Sequence, residues 1–176
     1  MNRHPDSACQ SVTSLNVEVR QQEGSNLALR FMLTGDISKL NIPQKHPSER
    51  TDGLWHTTCF ELFIRKPETS AYLEYNFSPS SRWAAYRFAG YREGMAELTA
   101  DTPKIGLDMS ETHFTLDTEL MLPVEYWAEK LQLGLSVIVE ETDGAKSYWA
   151  LAHPPGPPDF HHRDCFALQL EAPRRP

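Results

Sequence analysis

The chain alternates apolar and polar residues over most of its length, the period of a strand with one face buried. Leu15, Val17 and Val19 alternate with Asn16, Glu18 and Arg20, and Leu27, Leu29, Phe31 and Leu33 make a second run. Phe60, Leu62 and Ile64 alternate with Cys59, Glu61 and Phe63, and Leu73, Tyr75 and Phe77 alternate with Tyr72, Glu74 and Asn76. Arg82 to Ala89, Ile105 to Met109, Phe114 to Leu122, Leu131 to Val139, Ser147 to Ala152 and Cys165 to Leu170 complete the series. Turn signals at Glu23-Gly24-Ser25, Lys66-Pro67 and Asp143-Gly144 separate the runs. Pro123 to Lys130, with proline at its start and lysine at its end, predicts one short helical turn. The expectation is an all-β, two-sheet antiparallel β-sandwich, jelly-roll-like, of about nine or ten strands.

A length of 176 residues fits a single domain, with residues 12–171 as the sandwich, 1–11 as a flexible lead-in and 172–176 as a tail. Three segments exceed hairpin length: Gly35 to Leu54, Gly90 to Lys104, and the stretch from His153 to Asp164. Long loops on a compact domain often carry function. The last holds four prolines, whose fixed φ stiffens it.

Seventeen Lys and Arg against 24 Asp and Glu give a net charge of −7, which argues against binding nucleic acid or an anionic membrane surface. Three cysteines without CxxC spacing, no apolar leader and no membrane-length apolar run predict a cytoplasmic protein. No GxGxxG, Walker, HExxH or GxSxG motif is present.

On neighbouring strands the residues out of phase with the core put Glu61, Glu74, Asn76 and an arginine, Arg82, on one face, with Trp55 at its rim. An indole beside carboxylate, amide and guanidinium groups suits a sugar, whose C–H face stacks while its hydroxyls are hydrogen-bonded. The competing reading is a solvated sheet face with cross-strand ion pairs. Glu61 and Glu74 also have the chemistry of a glycosidase acid/base pair. His153, Asp159, His161, His162, Asp164 and Cys165 in the last loop are metal-ligand types, though their spacing matches no common site.

Three stretches carry a resemblance: Leu54-Trp-His-Thr-Thr-Cys-Phe-Glu-Leu-Phe63, Tyr72-Leu-Glu-Tyr-Asn-Phe-Ser-Pro-Ser-Ser-Arg-Trp83, and Pro158-Asp-Phe-His-His162 followed by Cys-Phe-Ala-Leu. Together they resemble the DOMON-like superfamily, nearest to the family 9 carbohydrate-binding modules and their single-domain bacterial relatives. That resemblance implies a two-sheet sandwich holding a sugar between two aromatic rings. It assigns Trp55 as one aromatic, Glu61 as the acid and Arg82 as a basic partner, with the second ring supplied by Phe160, His161 or His162 in place of a tryptophan. Asn76 and Asp159 are further candidates. The expected function is non-catalytic binding of a small carbohydrate or sugar-like ligand. The alternatives are haem or a divalent metal held by the loop histidines, as in some DOMON relatives, and a sugar-active enzyme using Glu61 and Glu74.

Overall fold

The computed structural model describes residues 1–8, 10–22, 24–127 and 129–172. Among these residues twelve strands form two sheets: β1 (Asn2–Arg3), β2 (Val12–Gln21), β3 (Asn26–Gly35), β4 (Cys59–Arg65), β5 (Tyr72–Phe77), β6 (Trp83–Phe88), β7 (Ala96–Glu97), β8 (Lys104–Met109), β9 (His113–Met121), β10 (Leu131–Glu140), β11 (Lys146–Ala150) and β12 (Leu168–Leu170). One sheet has eight strands in the order β1-β11-β10-β4-β5-β6-β7, with β12 continuing along β10 below β11, and the other runs β2-β3-β9-β8. All these pairings are antiparallel. The fold is the predicted β-sandwich.

The in-phase residues meet between the sheets. Phe60, Leu62 and Ile64, with Leu73, Tyr75 and Phe77 and the five alternate apolar residues Leu131 to Val139, pack against Leu15, Leu27, Leu29, Phe31, Leu33, Phe114 and Leu116. Phe60 joins the layers directly, with its ring 5.2 Å from Phe31 and stacked 5.5 Å from Phe114. Burying such side chains contributes roughly 1.5–3 kcal/mol each, so the alternation alone selects this layering.

The extra strands, β1 and β7, are two residues long and too short to show a period. The division expected at residue 12 is not where packing begins: β1 pairs with β11, and His4, only 2% exposed, donates through Nε2 to the Gly156 carbonyl oxygen, 3.0 Å away. Cys165, placed in the last strand by its sequence, lies instead in a 3-10 turn, Arg163–Cys165, ahead of β12. The Pro123–Lys130 segment contains a single 3-10 turn, Val124–Tyr126. Its Ala128, like Cys9, Glu23 and residues 173–176 of the expected tail, lies outside the described residues. Among the described residues no helix is long and apolar enough to cross a membrane.

The outer face of the eight-stranded sheet is also buried. Cys59, Phe63, Tyr72, Ala84, Tyr86, Phe88, Ile138 and Ala150 form a second apolar cluster under Leu54, Phe160 and Phe166. Two chain segments make this cover, the end of the Gly35–Leu54 loop and the proline-rich loop after β11. Gly134 shows how closely the second lies: a Cβ there would meet the Cys165 carbonyl oxygen at 3.2 Å and the Phe63 Cβ at 3.3 Å. Glycine in a strand interior here marks a close backbone approach.

Candidate functional site

The register of β4, β5 and β10 sets the floor of a cleft. Glu61 lies opposite Asn76 on one side and Ser136 on the other, while Glu74 lies opposite Phe63, so the two glutamates are diagonal neighbours on one face. Both are buried, at 3% and 5% exposure. The Ser136 hydroxyl donates to Glu61 Oε2 at 2.7 Å, and Asn76 Nδ2 donates to Glu74 Oε1 at 2.9 Å. Asn76 Oδ1 is buried without a donor.

The covering loops supply the walls. Gly53, at φ 73°, starts the Leu54–His56 turn in left-handed backbone, which glycine adopts without a Cβ penalty, and the turn sets Trp55 edge-on to Tyr86 at 6.1 Å. The Tyr86 hydroxyl donates to Oδ1 of Asp52, the residue before Gly53. Opposite, the proline-rich loop lays Phe160 beside Tyr148, their ring centroids 6.3 Å apart. The space between is a cleft of about 360 Å³ lined by Trp55, Glu61, Glu74, Phe88, Arg92, Met95, Ile138, Tyr148, Pro158, Phe160 and His161.

His161 stands at one end, edge-on to Phe63 and Phe88 at 5.1 and 5.3 Å. Its Nδ1 is 2.7 Å from the Tyr72 hydroxyl and its Nε2 is 3.8 Å from Glu74 Oε2. Asp159 ties two loops together: it accepts from Arg92 at 2.8 Å, from the Tyr91 hydroxyl at 2.5 Å and from the His161 amide at 3.2 Å. Cys165 Sγ donates to the Asp159 carbonyl oxygen at 3.2 Å. A second hollow of about 560 Å³ lies on the other side of His161 and is lined also by Arg65, Tyr72, Tyr91, His162, Arg163 and Phe166.

The buried groups titrate abnormally. Burial, then the charge of Glu74, pushes Glu61 up to about 8, against the smaller opposing pulls of Ser136 and Arg92. Burial likewise raises Glu74, to about 7, against its bond from Asn76 and the charge of Arg92. Burial holds His161 down near 4, so it is neutral at pH 7. Burial also carries the Cys59 thiol well above its ordinary value, which makes it inert as a nucleophile.

The structure brings together Trp55, Glu61, Phe160 and His161, with Asn76 and Asp159 just behind them. It does not bring Arg82. That residue precedes β6, beyond the cleft, and its Nε pairs with Glu49 at 2.9 Å. The guanidinium in the cleft belongs to Arg92, in the Gly90–Lys104 loop, which the sequence marks only as a long loop. Tyr148, on β11, also faces the cleft. His162 turns away to Asp164, 3.6 Å distant, and His153 contacts the Asn2 carbonyl oxygen at 2.9 Å. Among the described residues no group of three His, Cys, Asp or Glu side chains is placed to hold a metal ion.

No family model matches the sequence, and no curated protein matches it. Solved structures do match the fold. A carbohydrate-binding candidate protein from Bacteroides uniformis is similar over 85% of this chain and 74% of its own, at 11% identity and a TM-score of 0.62. A family 9 carbohydrate-binding module from Caldicellulosiruptor kristjanssonii, solved with glucose, is similar over 97% of this chain and 81% of its own, at 10% identity and a TM-score of 0.55. At such identities the likeness is one of fold, and it agrees with the family 9 architecture that the sequence motifs imply.

Proposed function

We propose that this protein binds a small carbohydrate, without transforming it, in the cleft between Trp55 and Phe160. The observation that carries the reading is the pairing of apolar ring walls with a floor of hydrogen-bonding carboxyl groups. Trp55, Tyr148 and Phe160 offer rings to the C–H surface of a pyranose, and Glu61, Glu74 and Arg92 face its hydroxyls. The cleft volume of about 360 Å³ fits one or two sugar units. The two structural neighbours described as carbohydrate-binding support the same class of ligand.

Calorimetric titration of wild type and Trp55→Ala with mono- and disaccharides tests it. Wild type is expected to bind at least one of them, and the variant to bind at least about tenfold more weakly, a change of ~1.4 kcal/mol. Trp55 is half-buried at the rim, so the variant's melting midpoint should stay near that of wild type. Absence of binding to every saccharide would overturn the proposal.

The raised pKa values of Glu61 and Glu74 favour one second reading, a sugar-active enzyme, since a carboxyl kept protonated near neutral pH can serve as a general acid. Release of product from aryl glycosides that is lost in Glu74→Gln would establish that reading in place of simple binding.

A further inference from the structure

The floor of the cleft has an unbalanced set of charges and hydrogen-bonding groups. Glu61 and Glu74 point into it, Asp159 stands behind one wall, and Asp52 lies close enough to act on Glu74. Among the described residues lining the cleft, Arg92 is the single Lys or Arg, and its guanidinium is already held by Asp159. No described Lys or Arg forms an ion pair with Glu61 or Glu74; the nearest basic group is His161, 3.8 Å from Glu74 and neutral at pH 7. Glu61 receives one hydrogen bond from Ser136, Glu74 one from Asn76, and Asn76 Oδ1 receives none. Buried carboxylates ordinarily meet a cation or give up their charge.

The two carboxyl groups thus sit with one hydrogen bond each and no cation, and whichever of them gives up its proton becomes an acceptor in need of a donor. A sugar hydroxyl donates one hydrogen and brings lone pairs that need donors of their own, which Arg92 alone among the charged groups could satisfy. An ammonium donates three hydrogens, accepts none, and neutralises a carboxylate. The rings of Trp55, Tyr148 and Phe160 around it are the surroundings a cation favours over an aliphatic wall.

We propose that the ligand of this cleft carries a protonated amino group, as an amino sugar does, and that the ammonium is seated between Glu61 and Glu74. This deepens the carbohydrate reading above and rests on it. The ammonium takes the place of a proton held by the carboxyl pair, so a proton leaves the protein as the ligand enters.

The test is calorimetric titration of the full chain at pH 7 with glucose, glucosamine and N-acetylglucosamine, each in two buffers of different ionisation enthalpy. Glucosamine is expected to bind at least about tenfold more tightly than the other two, as a charge-assisted contact should. Its apparent enthalpy should depend on the buffer in the sense of proton release, whereas that of glucose should not. In Glu61→Gln/Glu74→Gln the ratio of glucosamine to glucose affinity should fall to near one. Equal binding of glucose and glucosamine by wild type would overturn the amine proposal and leave carbohydrate binding standing. Binding of none of the three, nor of any other saccharide, would overturn both.

Discussion

On the outer face of the four-stranded sheet, Arg30 grips Asp117 through two hydrogen bonds of 2.7 and 3.1 Å, and Lys104 reaches Glu119 at 2.9 Å, all with side chains open to water. On the outer face of the eight-stranded sheet, Glu61 and Glu74 are 3% and 5% exposed and pair with no Lys or Arg among the described residues. Both faces are built from alternating strands with charged residues out of phase with the core. They differ in what lies above them. Water covers the first and screens its ion pairs; the Leu54–His56 turn and the proline-rich loop cover the second and remove its solvent. The same residue type in the same strand register is a solvated surface group in one place and a strained, proton-holding group in the other.

The largest effect that separates the two faces should come from Phe63, which is 1% exposed on the covered face and meets Tyr72, His161 and Phe166. Phe63→Ala should lower the free energy of unfolding by ~3–5 kcal/mol in a urea titration, as for a core residue. A loss below ~1 kcal/mol would mean that the covered face is no second core.

The next effect is a dependence on pH. Glu61 and Glu74 hold protons up to about 8 and about 7 in the folded chain, against about 4.5 for an ordinary glutamate, so each subtracts stability as pH rises through that interval. His161, held near 4, and His153, also lowered, act in the opposite sense and only below the ordinary histidine value of 6.5. Between pH 6.5 and 8, above the histidine interval, the carboxyl groups should therefore make wild type less stable by ~1–2 kcal/mol. Glu61→Gln/Glu74→Gln should flatten that slope in thermal melts. A wild-type midpoint that rises over the same interval would contradict the burial of the pair.

The smallest effect belongs to the open face. Arg30→Ala should leave the melting midpoint unchanged within measurement error at moderate salt, because a solvated pair contributes little. A clear loss there would erase the contrast.

Alternation made the sandwich and most of the cleft readable in the sequence. Trp55 shares the parity of Glu61, Glu74 is likewise out of phase with the core, and the resemblance carried by the last loop points to Phe160 and His161. The burial of their face was not readable, since Glu61, Glu74 and Asn76 have the spacing of solvent-facing residues, and a loop about ninety residues later in the chain decides otherwise. Arg82 shares the parity of the site, but Ser81 at φ 74° turns the chain just before it and Arg82 closes on Glu49. Arg92 sits at φ 56° in a loop without alternation, where no period points to it; its amide bond to the Tyr72 hydroxyl and its guanidinium bond to Asp159 aim it at the cleft.

The position of the proline-rich loop along the chain bears on how the protein is made. During synthesis Trp55, Glu61 and Glu74 leave the ribosome long before residues 153–166 that roof them. Until then Phe63, Tyr72, Phe88 and Ile138 form an uncovered apolar sheet face on a nascent chain, the kind of surface that invites association with other chains or chaperones. The cleft is thus among the last parts of the molecule to exist, and a ribosome that stalls before the loop leaves a sticky sheet with no cleft on it.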